Sequence, residues 1–319
     1  AQTDALHLWR KDAKRYLAEL KESMKIRHER SGELAYLLEP DLKEARGGLR
    51  DINSIRAIAL SGAPMPSIER VAIAESTILK IRDSLHKVSQ SAKDRLYFQE
   101  QDNVAADLDY LDADALMADL AKSARSVDYI LGSIWHSVEH RGKDRSGRFL
   151  KKIRTTQLSP EILISHQEVS LSVDAPIHTD ATLAFKVAAA AAQVGLPLSL
   201  DTCLLLSQEA PAITTPWPRV ARENFISLIG GGQSMIAVWE AYEQEGIITS
   251  WFPEWEAVSS LPQRNVLHRH TVDRHMVETL LHASALTRMV HRPDLLLFAA
   301  LFHDIGKGSQ EDHSLRGAR

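Results

Sequence analysis

The sequence predicts an all-α chain: a helical bundle, then a helical connecting region, then the start of a further helical domain. Three observations carry that expectation. Apolar residues recur at spacings of three and four along several long segments. An alanine-rich run, Phe185 to Val194, favours helix because alanine loses little side-chain entropy there. One short stretch, Glu161 to Val173, reads instead as a small β-hairpin.

Taken in order, Leu6, Trp9, Ala13, Tyr16, Leu17, Leu20 and Met24 form one stripe of a long first helix, with Lys, Arg and Glu on its other side. Leu34 to Leu38 reads as a short extended piece, ended by Glu39-Pro40. Gly47-Gly48 precede a helical stripe, Leu49, Ile52, Ile55 and Ala59, broken by Gly62-Ala63-Pro64-Met65-Pro66. Ile68, Val71, Ile78, Leu85 and Val88 mark another helix. Leu116, Leu120, Val127, Ile130, Ile134 and Val138 mark a longer one. Residues 1–140 are thus expected to form a helical domain.

Between Arg141 and Arg154 stand seven Lys or Arg against one acid, Asp144. A solvated linker is the preferred reading there over a phosphate-facing strip. In the hairpin stretch Ile162, Ile164, Val169, Leu171 and Val173 flank the polar His166-Gln167-Glu168. Helical signals resume at Phe185 to Val194, Phe225 to Ile229 and Met235 to Tyr242, punctuated by Pro211, Pro216, Pro218 and Pro253. Residues 141–260 are therefore expected to be linker and helical connecting region. A last unit begins near Leu261-Pro262 and runs over 261–319.

The 319 residues allow two or three domains, and 44% hydrophobic with 25% charged residues is the balance of an ordinary globular chain. A net charge of −4 lacks the basic footprint of a nucleic-acid binder, so none is expected as partner. No apolar stretch approaches the roughly 20 residues of a bilayer span, so no membrane partner is expected. Cys203 is the single cysteine; no internal disulfide can form, and a reducing cytoplasm fits. Both ends read as cuts, so we expect a piece of a longer protein.

The chemistry concentrates at His303-Asp304, which closes the apolar run Leu295 to Phe302 and precedes Ile305-Gly306-Lys307. Imidazole and carboxylate on a buried helix make poor core residues and good divalent-metal ligands. Upstream, Thr271 is a candidate N-cap, with Asp273 in the first turn and His275 one turn in. Pro293 and Asp294 suit the start of the following helix, and Gly306 its end. His275, His303 and Asp304 are the candidate metal ligands, for magnesium or manganese first, with iron or zinc also suited. Lys307 can offset phosphate charge, and His313 is a further ligand or acid. His268 and His270 read as structural. His282, His291, His7, His28, His86, His136, His140, His166 and His178 read as surface residues.

Two runs of residues carry a family resemblance. His275, then Ala299-Ala300-Leu301-Phe302-His303-Asp304-Ile305-Gly306-Lys307-Gly308, then Asp312-His313-Ser314, resembles the HD phosphohydrolase superfamily. Tyr36-Leu37-Leu38-Glu39-Pro40-Asp41-Leu42-Lys43-Glu44-Ala45-Arg46-Gly47-Gly48-Leu49-Arg50-Asp51-Ile52 resembles the bifunctional uridylyltransferase/uridylyl-removing enzymes of nitrogen regulatory protein PII. His270-Thr271-Val272-Asp273-Arg274-His275 is similar to the entry of their HD domain.

The resemblance implies a helical domain trailing a nucleotidyltransferase core, a connecting region, and the first part of an HD domain. It implies a parent enzyme that transfers UMP from UTP to a tyrosine of PII, and a metal-dependent HD site that removes it. Some relatives use ATP and AMP. Glutamine is then sensed by C-terminal ACT domains outside this chain. The Gly-rich transferase motif with its Asp-x-Asp pair is not in this sequence, and the aspartate that closes an HD site would lie downstream. Asp304, Lys307 and His313 are the expected catalytic residues. At the other motif, Lys43, Gly47, Gly48 and Arg50 are candidate nucleotide contacts, with glycine N–H groups facing an anion. The alternative there is a tight turn with Arg50 paired to an acid. Glu39 or Asp41 is a candidate carboxylate for the transferase core. Two other functions compete: a different HD phosphohydrolase acting on free nucleotides, and a non-catalytic helical scaffold.

Overall fold

The computed structural model describes residues 2–140, 155–263, 270–308 and 313–317. They form two compact units, Ala1–Lys143 with Ser260–Thr271, and Asp144–Ser259 with Val272–Arg319. Among the described residues the one sheet is small and three-stranded, so the expected mainly helical class holds. The basic stretch 141–154 lies outside the described residues.

The first unit begins with α1 (Gln2–Lys11) and α2 (Ala13–Ser31), where one long helix was expected. The break falls at Asp12, a weak helix former, whose backbone (φ −107, ψ 24) leaves the helical well. Trp9 stacks on Tyr16 across the break, with centroids 5.4 Å apart, and donates its indole N–H to the Ala57 carbonyl at 3.0 Å. Next come α3 (Leu49–Leu60), α4 (Glu69–Ser89), α5 (Phe98–Asp107) and α6 (Ala113–His140). Helix α4 packs along α6, and the core is Ile52, Ile55, Ile58, Ile78, Ile81, Leu85, Leu116, Leu120, Val127 and Ile134. Burying each such side chain contributes about 1.5–3 kcal/mol.

Leu34 to Leu38 is not extended, as expected from its sequence, but a turn. Its first residue and the chain beyond it are pinned within the unit: Leu34 N–H donates to Arg46 O (3.0 Å), and Leu42 N–H to Asp94 O (2.8 Å). Helix α5 carries only Gln101, Val104 and Ala105 buried, so its apolar signal is weak. It forms because its first N–H groups are capped by Glu100 and, from 59 residues away, by Glu39 (3.1 Å to the Phe98 N–H). The segment from Ser260 completes this unit: Arg125 Nη1 donates to the buried Ser260 Oγ (3.0 Å), and His270 packs edge-on against Tyr36 at 5.6 Å.

The second unit opens with β1 (Thr156–Ser159), β2 (Ile162–Ser165) and β3 (Glu168–Leu171), antiparallel in the order β1-β2-β3. The expected hairpin is β2–β3, and its two-residue turn, His166-Gln167, takes φ of 52° and 63°. Two left-handed residues give the tight turn whose twist matches the strands. Strand β1 was not anticipated; its residues are mostly exposed and lack alternation.

Helix α7 (Leu183–Val194) is the alanine-rich run, ended by Gly195 at φ 69°. Helix α8 (Leu200–Glu209) is capped by Ser199, whose Oγ accepts from the Thr202 N–H at 3.2 Å. Helices α9 (Arg219–Ile229), α10 (Gln233–Gln244) and α11 (Ile247–Trp251) follow, then a short 3-10 turn, Pro253–Ala257. Phe185 stacks on Trp251 at 3.9 Å, and Phe225, Trp239, Tyr242 and Trp255 complete a buried aromatic core. The Tyr242 hydroxyl donates to the Ala184 carbonyl at 2.8 Å, so its polar end is satisfied. Helices α12 (Val272–Ser284) and α13 (Pro293–Phe302) pack on each other, α12 also on α10 and α13 on α9. Phe298 meets Phe225 at 5.8 Å and Phe302 meets Phe252 at 5.0 Å. Residues of the segments expected as 141–260 and 261–319 thus share one core. A last short helix is α14 (His313–Gly317).

Candidate metal centre

Helix α13 starts as its sequence implies, with Pro293 in the first turn, where its missing N–H costs nothing. It ends earlier than Gly306 suggested. Phe302 is its last residue and His303 its C-cap, followed by 3-10-type bonds from Ile305 N–H to Phe302 O (3.1 Å) and from Lys307 N–H to Asp304 O (3.0 Å). His303 and Asp304 therefore lie in the turn that closes the helix rather than inside it. Thr271 does not act as the cap of α12: its buried Oγ1 has no hydrogen-bond partner among the described residues. That side chain instead lines a cavity within the first unit, beside Tyr36, Met117 and Pro262.

The turn brings three donors together. His303 Nε2 lies 3.3 Å from His275 Nε2 and 3.4 Å from Asp304 Oδ2, and His275 Nε2 lies 3.9 Å from that same oxygen. One ligand atom from each of His275, His303 and Asp304 falls within 4.8 Å of the others, the one such group among the described residues. His303 Nδ1 donates to the Ala300 carbonyl at 2.9 Å. A neutral imidazole so tied turns its Nε2 lone pair toward the shared point, the orientation a metal-ligating histidine needs. Nitrogen and carboxylate donors crowded on one point suit a divalent cation, so the residues present fit one.

Lys307 completes the cluster, with its ammonium 2.7 Å from Asp304 Oδ2. Burial pushes the Asp304 carboxyl upward, but the Lys307 hydrogen bond and the neighbouring His303, Lys307 and His275 outweigh it and hold it below its ordinary value. The carboxylate is thus held in its charged form. The side chain of His313, expected as a further ligand or acid, lies outside the described residues, as does His268.

The other candidate site is built differently. Of the glycine N–H groups expected to face an anion, Gly47 donates to Asp51 Oδ2 (2.7 Å) and Gly48 to the Ala45 carbonyl (2.9 Å). The next two, of Leu49 and Arg50, donate to Leu42 O and Lys43 O, each at 3.1 Å. Lys43 faces Asp94 at 3.8 Å and Arg50 faces Glu44 at 3.2 Å. Lys43, Gly47, Gly48 and Arg50 therefore form no cradle of free donors, because the fold consumes those donors itself. Glu39 and Asp41 are likewise structural: Glu39 caps α5, and Asp41 Oδ1 accepts from the N–H groups of Lys43 (3.0 Å) and Glu44 (2.8 Å).

The hub of that segment is a residue the sequence left unremarked. Asp51 is fully buried and accepts from Arg27, from His28 Nε2 (3.0 Å) and from Gly47 N–H. The one acid of the hub sits 23 and 24 residues from its two basic partners, so no local pattern announces them. Gly47 itself takes φ +85°, and a Cβ there would stand 2.5 Å from the Ala124 carbonyl of α6. Gly47→Ala is expected to destabilise the first unit by about 2–4 kcal/mol, through left-handed strain and a backbone clash. Urea unfolding followed by circular dichroism checks this; an unchanged midpoint overturns it.

The comparisons with known proteins agree with this architecture. Residues 15–135 match the model of the GlnD PII-uridylyltransferase domain, and residues 272–319 that of the HD domain. The chain is 44% identical over 99% of its length to the bifunctional uridylyltransferase/uridylyl-removing enzyme of Streptomyces coelicolor, covering 39% of that protein. It is 35% identical over 97% of its length to the protein of that name from Mycobacterium tuberculosis, covering 40% of it. The protein of that name from Pseudomonas putida is 26% identical over 99% of the chain, which covers 39% of it. The chain thus spans about two fifths of the length of these curated relatives. No solved structure matches. With both domains in order and similarity running almost end to end, the chain belongs to the GlnD PII-uridylyltransferase family and carries an HD domain after it.

Proposed function

We propose that this chain is the helical and HD portion of a cytoplasmic enzyme that adds a nucleotide to a tyrosine of PII and removes it, and that the removal occurs at His275, His303 and Asp304. The observation that carries this reading is the convergence of their three ligand atoms within 4.8 Å. Magnesium or manganese is the preferred ion, since an oxygen donor and open positions suit both. When bound, such an ion lowers the pKa of water and polarises a phosphoryl oxygen.

The chain's own residues do the rest. The Ala300 carbonyl holds His303 in one tautomer, so its Nε2 needs no reorientation. Asp304 supplies the negative charge of the site. Lys307, on the same carboxylate, is placed to offset the charge that grows on phosphorus as the tyrosine oxygen departs. His313 is the candidate proton donor to that oxygen, which leaves as the PII tyrosine hydroxyl while water adds to phosphorus and releases the nucleoside monophosphate. Transfer from UTP or ATP belongs to the parent protein, as does glutamine sensing through its C-terminal domains.

The test uses the parent enzyme, nucleotidylated PII and manganese, with release of nucleotide followed chromatographically. His303→Ala is expected to abolish release; release at the wild-type rate overturns the reading. Lys307→Met separates binding from chemistry. Removing a cation from Asp304 Oδ2 should tighten manganese binding, while hydrolysis falls about 10–100-fold through lost charge stabilisation. Manganese affinity that falls in Lys307→Met contradicts the placement.

A further inference from the structure

The second unit holds a groove of about 440 Å³ beside strands β1 and β2 and helices α7 and α9, the size of a small-molecule pocket. Ile162 and Ala189, both buried, line it with Ala190, Leu158 and Val194, the last two more than a third exposed. No aromatic ring is among its lining residues, so a flat heteroaromatic ligand has nothing to stack on. Alanine methyls and branched aliphatics suit an alkyl chain instead.

The polar lining is a set of acceptors. Asn224 spends its Nδ2 on the Val220 carbonyl (2.8 Å), and Gln193 its Nε2 on Ser227 Oγ (2.6 Å). Neither amide oxygen accepts a hydrogen bond among the described residues. Glu161 accepts from the Ser159 hydroxyl at 2.7 Å, and that bond, with the backbone N–H, holds its carboxyl below the ordinary value. The one cation in the lining, Lys186, has its ammonium 2.7 Å from Asp180 Oδ2, so that pair adds no net charge. What remains is one carboxylate and two unspent carbonyl oxygens.

Their spacing follows from α7. Glu161 stands at the Lys186 end, where it feels the charges of Lys186 and Asp180. Gln193 lies two turns further along the same helix, about 10 Å away at 1.5 Å per residue.

We propose that this groove binds an aliphatic polyamine. One ammonium meets Glu161, the alkyl chain lies over Ala189 and Ala190, and a second ammonium donates to the amide oxygens of Gln193 and Asn224.

The test is calorimetric titration of the 319-residue chain with spermidine, beside 1-aminohexane, which carries a single ammonium. One spermidine per chain is expected to bind saturably, and the monoamine about tenfold more weakly, since it makes only one of the two charged sets of hydrogen bonds. Glu161→Gln, which keeps an acceptor for Ser159, is expected to weaken spermidine about tenfold. Ala190→Phe fills the groove and is expected to abolish binding. Circular dichroism verifies that both variants fold, and Glu161→Gln decides the matter alone if Ala190→Phe does not. The proposal is overturned if spermidine does not saturate, if 1-aminohexane binds as tightly, or if Glu161→Gln or a folded Ala190→Phe binds spermidine like wild type. The last result is what diffuse attraction to a chain of net charge −4 would give.

Discussion

Asp304→Asn in the parent enzyme is expected to lower metal-dependent release of nucleotide from modified PII by at least about 100-fold, beyond the range carried by the outer partners of metal ligands. The substitution keeps the shape of the side chain and one neutral oxygen. It removes the negative charge on which two imidazoles and the Lys307 ammonium converge. The site then holds a cation near an uncompensated lysine, and the affinity for manganese falls with the rate. Stability should change little, because the fold rests on the aromatic core behind α13 and not on this turn. The same release from Asp304→Asn as from wild type, at saturating manganese, would remove the carboxylate from the mechanism.

Asp51→Ala is the second large effect, and it acts on the fold. The carboxylate is fully buried and holds Arg27, His28 and the Gly47 N–H at once. Deleting it strands the Arg27 guanidinium, whose side chain is only 12% exposed. Breaking a buried pair in this way costs about 3–5 kcal/mol. Burial raises the Asp51 carboxyl, but the His28 hydrogen bond and the Arg27 charge win, and its pKa stands below the ordinary value. A depressed folded pKa means that the group stabilises the fold fully above the unfolded carboxylate range and loses that contribution as pH falls through its folded value. The stability of wild type should thus drop on acidification through that window, while Asp51→Ala, already weakened, should lack this component. Urea midpoints measured across the acid range decide it; parallel pH profiles for the two proteins would contradict the assignment.

Much of this was written in local pattern. The stripes of α3, α4 and α6 repeat at helical spacing, so their cores could be named in advance. The hairpin showed through its polar centre, and Pro293 announced the start of α13. The candidate metal cluster was legible because His303 and Asp304 are adjacent and stand at the end of an apolar run, where such residues have no packing purpose. What stayed hidden depends on distant partners. Helix α5 needs a cap from Glu39, and Asp51 needs Arg27 and His28 on another helix. The same distance left two readings of Gly47-Gly48 open in the sequence. Glycine permits an anion cradle and a close backbone crossing alike, and only the position of Ala124 and Asp51 decides between them. The early end of α13 is a local effect too small for pattern to reveal.

The return of Ser260–Thr271 to the first unit has a practical consequence. No single cut yields both units whole. Severing the polypeptide after residue 143 deprives the amino-terminal piece of the hydroxyl that Arg125 grips and of the ring that meets Tyr36. The carboxyl-terminal piece keeps that stretch as an orphaned insertion before α12. Anyone dissecting the protein should circularly permute it or supply 260–271 in trans, and should expect halves divided at 143 to rescue one another when mixed.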